Sequence, residues 1–282
     1  MDYVAPNLIV SDALQLAEKK AGLPVRDLLV RGALAGGILG YATSMVFVVL
    51  AQGVPAIVGA TIFPIGFVIL VLLGFELATG NFALLPAGVL AKRVSMGAML
   101  RNWSWVYLGN LIGSVLYAAL FVLTITSFGA NNGGPAGELL RAAAVKKTTA
   151  YAALGAAGWA TAFVKAILCN WMVTVGTILA LASKSTIGKI SGMWLPIMMF
   201  FAMGYEHSIV NMFVIPAGMV AGAPVSPLDW IVWNQVPVTL GNILGGALLT
   251  GAALWYTYGE KAEASVVVST ATKIASDPIG AR

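Results

Sequence analysis

Two short phrases place acid, amide and hydroxyl groups inside apolar sequence. The first is Gly74-Phe75-Glu76-Leu77-Ala78-Thr79-Gly80-Asn81, running on to Pro86-Ala87-Gly88. The second, in the other half of the chain, is Gly204-Tyr205-Glu206-His207-Ser208-Ile209-Val210-Asn211, running on to Pro216-Ala217-Gly218. Gly, Glu, Asn, Pro, Ala and Gly recur in register. A carboxylate surrounded by hydrocarbon needs a partner and a function, and matching interruptions in the two halves of a hydrophobic chain mark a membrane transport site.

Each side chain in these phrases suits a definite task. Breaking a helix within a bilayer frees backbone N–H groups that lipid cannot satisfy. Glu76 and Glu206 are suited to accept them, with a proton relay as the other reading. His207 is the only histidine, and its ordinary pKa lies nearest neutrality of any side chain, so it can act as hydrogen-bond donor or proton source. Thr79 and Asn81 in the first break, and Ser208 and Asn211 in the second, are small donors for a desolvated anion. Lys165, deep in an apolar run, must face the interior. Glu206 is its expected partner, whether as a structural ion pair or as an attractor of anions. Phe63, Phe67 and Phe200 precede the breaks by about two helical turns, where they form either a dry constriction or ordinary packing.

The rest of the chain must hold these groups inside a membrane. Of 282 residues, 59% are hydrophobic and only 10% charged, too little polar surface to close a water-soluble globule. Apolar runs of about 20 residues predict six transmembrane helices: roughly 29–51, 56–78, 105–128, 154–182, 193–220 and 236–258. The breaks fall in the second and fifth, around 77–81 and 207–211. The repeat extends to Asn102…Gly109-Asn110…Gly113, matched by Asn234…Gly241-Asn242…Gly245, whose glycines permit close helix packing. Each half therefore holds three spans. Because three is odd, the second half enters from the opposite side, which makes an inverted repeat.

Lys and Arg mark the sides. Lys19, Lys20, Arg26, Arg31, Lys92, Arg93, Arg101, Lys184, Lys189, Lys261, Lys273 and Arg282 fall on one side, but only Arg141, Lys146 and Lys147 on the other. The positive-inside rule puts both termini in the cytoplasm. The net charge of +5 then reads as topology and contact with anionic lipid headgroups; no stripe for nucleic acid exists. Residues 1–27 form a cytoplasmic N-terminal segment whose stretch 7–23 suits an amphipathic helix, lying on the membrane interface or capping the protein. Residues 28–260 form the six-helix channel domain, and 261–282 a cytoplasmic tail of disordered composition. The segment 129–135 reads as a loop by turn chemistry and, with residues up to 150, forms the one long outer connection.

Other chemistries are excluded. The chain has no phosphate loop, dinucleotide fingerprint, zinc helix or serine elbow. With one His and one Cys, the buried Cys169, it builds no metal or haem site from those ligands, and no cofactor is expected. Ser208 beside His207 makes a poor nucleophile pair, because adjacent helical residues do not face each other.

The motifs Gly204-Tyr205-Glu206-His207-Ser208-Ile209-Val210-Asn211-Met212-Phe213, Lys165…Cys169-Asn170-Trp171-Met172-Val173, Asn102-Trp103…Gly109-Asn110 and Val236-Pro237-Val238-Thr239-Leu240-Gly241-Asn242 together resemble the formate/nitrite transporter family over about residues 8–258. The resemblance implies an aquaporin-like, all-α integral membrane fold in the cell (inner) membrane. It also implies a homopentamer whose protomers each hold a pore for small monovalent anions. By similarity His207 is the central pore histidine with Thr79 opposite. Phe63, Phe67 and Phe200 narrow the outer side and Leu77 the cytoplasmic side, while Lys165 and Glu206 shape the field and Asn211 and Asn242 line the path. Leu77-Ala78-Thr79 departs from the Leu-Phe-Thr of many formate channels. The expected substrates are formate or nitrite; hydrosulfide, lactate, bicarbonate or a neutral solute in an aquaporin-type pore are the alternatives.

Overall fold

A computed structural model describes residues 2–259 and places them almost entirely in helices. The tail 261–282 lies outside the described residues. The first half runs α1 (Pro6–Ala21), α2 (Val25–Leu50), α3 (Ala56–Ile62), α4 (Pro64–Leu72), α5 (Ala78–Leu90) and α6 (Met96–Ile125). The second runs α7 (Gly134–Lys147), α8 (Thr149–Ala153), α9 (Ala156–Leu179), α10 (Thr186–Ala202), α11 (Ser208–Val220) and α12 (Pro227–Gly259), the last interrupted by π-helical turns at Ile231–Gln235 and Ala247–Ala252.

Among the described residues four helices are long and apolar enough to cross a bilayer: α2, α6, α9 and α12. The second and fifth passages are not continuous helices: Ala56–Leu72 is followed by Ala78–Leu90, which runs past the expected end of the second span at 78, and Thr186–Ala202 by Ser208–Val220. Both divisions are made the same way. Gly74 (φ 68°) and Gly204 (φ 63°) adopt the left-handed conformation that ends a helix. The next N–H in each case, Phe75 or Tyr205, reaches back to the carbonyl of Leu70 or Phe200, at 2.8 and 3.2 Å. The breaks therefore occupy 73–77 and 203–207, four residues before the expected 77–81 and 207–211. Thr79, Asn81, Ser208 and Asn211 stand on the first turn of the following helix, because the glycine and not the polar cluster sets the stop.

The long helices pack in matching pairs, α2 along α6 and α9 along α12. Close approach requires glycine there: a Cβ on Gly113 would lie 1.8 Å from the Ala33 carbonyl oxygen, and one on Gly245 2.3 Å from that of Ile167. The expected loop at 129–135 is a turn, and the rest of the outer connection is helical. After a turn through 126–133, Pro135 and the left-handed Gly133 start α7, which is the counterpart of α1. Helix α1 buries Ile9, Val10, Ala13, Leu14 and Ala17 and packs on α5, so its apolar face is covered by protein.

Candidate functional site

Around each break a lysine and two asparagines make equivalent bonds. Glu76 accepts from Lys20 Nζ at 2.8 Å and Asn81 Nδ2 at 2.9 Å. Glu206 accepts from Lys147 Nζ at 2.8 Å and Asn211 Nδ2 at 2.7 Å. Asn102 Oδ1 receives the second Asn81 hydrogen while its own amide donates to the Lys20 carbonyl, and Asn234 does the same for Asn211 and Lys147. Both carboxylates are buried. Each is matched by one ammonium and fixed amide donors, the condition under which buried charge is tolerated.

These bonds correct two expectations. The partner of Glu206 is Lys147, which enters from the C-terminal turn of α7. Lys165 has its ammonium 5.9 Å from the Tyr151 ring centroid, and it is the Tyr151 hydroxyl that donates to Glu206, at 2.9 Å. Lys165 therefore meets the carboxylate only through an intervening aromatic ring. Nor do the carboxylates take the freed backbone N–H groups. Asn110 Oδ1 accepts from Ala78 N–H at 3.0 Å and Asn242 Oδ1 from Ser208 N–H at 2.8 Å. The amide of each asparagine donates to the carbonyl of Glu76 or Glu206 and to one on α2 or α9. A carboxylate offers only acceptors, whereas an asparagine meets both the orphan N–H and the orphan C=O of a break. Lys20 and Lys147 were missed because they were counted as surface topology charges. Their signal was the Lys-Lys doublet, Lys19-Lys20 and Lys146-Lys147, closing the helix before each half.

The halves differ where Leu77 is replaced by His207. Both residues precede their helix in extended conformation, but only the imidazole caps it: His207 Nδ1 lies 3.1 Å from the Val210 amide nitrogen. A backbone N–H can only donate, so Nδ1 is the acceptor and the neutral ring carries its hydrogen on Nε2. Nε2 lies 3.0 Å from Thr79 Oγ1. The two breaks are thus joined by one hydrogen bond, running from histidine to threonine.

A cavity lies on each side of this contact. One, of about 460 Å³, is lined by Lys19, Lys20, Arg31, Phe67 and Leu77. The other, of about 190 Å³, is lined by Lys147, Phe200, Phe201, His207 and Asn211. Leu77 is 3% exposed, and Phe67, Phe200 and His207 are each 2% exposed, so all four are packed against protein between the cavities. Phe200 stacks on His207 with centroids 5.8 Å apart. Phe63 packs edge-on against Phe200 at 5.9 Å and flat on Phe201 at 4.0 Å. Phe67, expected with them, lines the other cavity beside Leu77, because it lies one helical turn further along toward the break. Among the described residues no cluster of His, Cys, Asp and Glu fits a metal ion.

Paired helix breaks, buried ion pairs and a polar contact between two cavities define an all-helical integral membrane protein with an internal transport site. The chain belongs to the formate/nitrite transporter family, whose model matches residues 7–256. A probable formate transporter of Methanothermobacter thermautotrophicus is 40% identical over 262 residues, covering 86% of this chain and 93% of the relative. The formate channel BtFdhC of Bacillus thuringiensis is 30% identical, covering 92% and 97%. Among solved structures, an FNT family ion channel superposes with a TM-score of 0.73 at 28% identity, covering 89% of this chain and 98% of its own. A pentameric formate channel with formate bound gives 0.68 at 26%, covering 83% and 97%. Family membership makes the chain a channel or transporter and not an enzyme.

Proposed function

We propose that each protomer is a pore for formate and similar small weak-acid anions, formed by six membrane passages in two inverted halves. The anion moves between the Lys20 and Lys147 cavities past Phe67 and Leu77, the Thr79–His207 contact and Phe200. The observation that carries this reading is the Nε2–Oγ1 bond of 3.0 Å between His207 and Thr79, standing between two cavities that each hold a lysine paired to a buried carboxylate. A bare anion loses its hydration in an apolar constriction at a cost of many kcal/mol. Cationic side chains raise its local concentration at either mouth, and polarised donors at the midpoint replace part of the lost water. A neutral-solute pore has no need of these ionised groups.

The resting hydrogen-bond pattern favours donation of a hydrogen bond over transfer of a whole proton. His207 must release Val210 before Nδ1 can take up a second proton, so imidazolium forms only with the cap on α11 opened. In the same reading Asn211 and Asn242 hold the break, and Lys165 acts on Glu206 through Tyr151. Five such protomers assemble in the cell membrane, with both termini cytoplasmic and lipid around the apolar outer faces. The deciding experiment is uptake of formate, nitrite, hydrosulfide, lactate and bicarbonate into liposomes holding purified protein, each at two pH values. Formate or nitrite flux well above protein-free liposomes is expected. Passage of neutral solute with all anions excluded would overturn the proposal.

A further inference from the structure

The halves share their lysine and asparagine bonds around the carboxylates, but one buried amide has no counterpart. Asn170, on α9, is wholly buried. Its Nδ2 donates to the Thr79 carbonyl at 3.1 Å and to the Asn242 carbonyl at 2.6 Å. Thr79 opens α5 beyond the first break. Asn242 is the residue that holds the second, through the Ser208 N–H and the Glu206 carbonyl. A single side chain thus ties the turn carrying Thr79 to the helix that holds His207 in place.

The surroundings make room for this amide alone. A Cβ on Gly246 would come within 2.8 Å of Asn170 Nδ2. Thr174, one turn along α9, donates to the Asn170 carbonyl and bonds Thr250 on α12. In the first half the corresponding position is Gly36, where a Cβ would lie 2.2 Å from the Asn110 carbonyl oxygen, so no side chain can bridge there. Both Asn170 hydrogens are spent on carbonyls, which fixes the orientation of the amide, yet its Oδ1 is buried without a hydrogen-bond partner. A buried carbonyl left unpaired is unfavourable and calls for a compensating role. Thr79 supplies one: its oxygen accepts from His207, which leaves the hydroxyl proton free to be donated nearby or to a passing anion.

We propose that Asn170 is a positioning residue of the pore: by clamping the Thr79 carbonyl to the Asn242 carbonyl it sets the Thr79 hydroxyl against His207. This rests on the anion-pore reading above. Removal of the clamp and removal of the hydroxyl then damage the same contact, and their effects do not multiply.

The test is formate flux into liposomes, and the ratio of formate to acetate flux, for wild type, Asn170→Ala, Asn170→Asp, Thr79→Val and the double variant Asn170→Ala/Thr79→Val at equal folded protein. We expect Asn170→Ala to lower formate flux about tenfold, as a misplaced group some distance from the passing ligand does. The formate-to-acetate ratio should fall to that of Thr79→Val, and the double variant should be no worse than the poorer single. Thr174→Val, equally buried on the same helix, should keep the wild-type ratio. Losses that multiply, or an unchanged ratio in Asn170→Ala, would overturn the proposal. So would failure of both Asn170 variants to fold while Thr174→Val folds, since that assigns Asn170 to packing. Absence of formate flux in wild type would instead overturn the anion-pore reading itself.

Discussion

Lys147 Nζ lies 2.8 Å from Glu206 Oε2, and this contact, made from a helix that precedes the span, is what permits a carboxylate inside the second break. The equal contact of Lys20 with Glu76 brings helix α1 to the first break as Lys147 brings α7 to the second. Each closes its half of the protein by inserting one ammonium.

Removing one member of such a pair leaves an uncompensated buried charge. Lys147→Met should therefore destabilise the folded protein by about 3–5 kcal/mol, and Lys147→Met/Glu206→Gln by clearly less. Thermal melts in detergent check this. Lys165→Met should leave the melting temperature close to wild type; a loss as large as that of Lys147→Met would reinstate Lys165 as the partner of Glu206.

His207→Asn keeps both functions of the resting ring. The new Oδ1 can cap α11, as asparagine does well, and the new Nδ2 can donate toward Thr79. It cannot titrate. Because the resting ring donates a hydrogen bond and not a proton, the asparagine variant should conduct with the wild-type pH profile, flux in both rising as external pH falls and more substrate is neutral acid. Flux with a pH dye inside the liposomes reads both, and a flatter profile with loss of proton movement in the variant would make His207 the proton source.

Asn242→Leu removes an acceptor from Ser208 N–H and donors from two carbonyls at once. Each buried group left unpaired costs about 1–3 kcal/mol, so this variant should melt far below wild type. Asn110→Leu should behave alike, since its bonds are equivalent. A mild effect at either position would show that water replaces the side chain.

Gly113→Ala should abolish folding, for its Cβ would overlap the Ala33 carbonyl on α2. Gly97→Ala meets no atom within 4 Å and should stabilise α6 by up to about 1 kcal/mol. Yield and melting temperature of the two variants compare them directly.

The sequence by itself determined the membrane class, the two matched breaks, the asparagines repeated beside them and the lone histidine at the second. Each of these follows from a polar residue standing where apolar periodicity forbids it, or from a phrase repeated in register, and both are one-dimensional signals. Only the tertiary structure decided who pairs with whom. Lys165 and Lys147 carry the same charge and both precede Glu206. Choosing between them needs the direction in which α7 and α9 present their side chains to the break, and hydropathy has no such direction. The same holds for Phe67, which lies one turn nearer the break than Phe63 and lines the cavity beside Leu77 while Phe63 packs on Phe200 and Phe201, because one turn of helix moves a side chain about 5 Å along the axis. It holds most of all for Asn170: its bonds to Thr79 and Asn242 cross the boundary between the repeats, and a repeat read along the chain records only what the halves share.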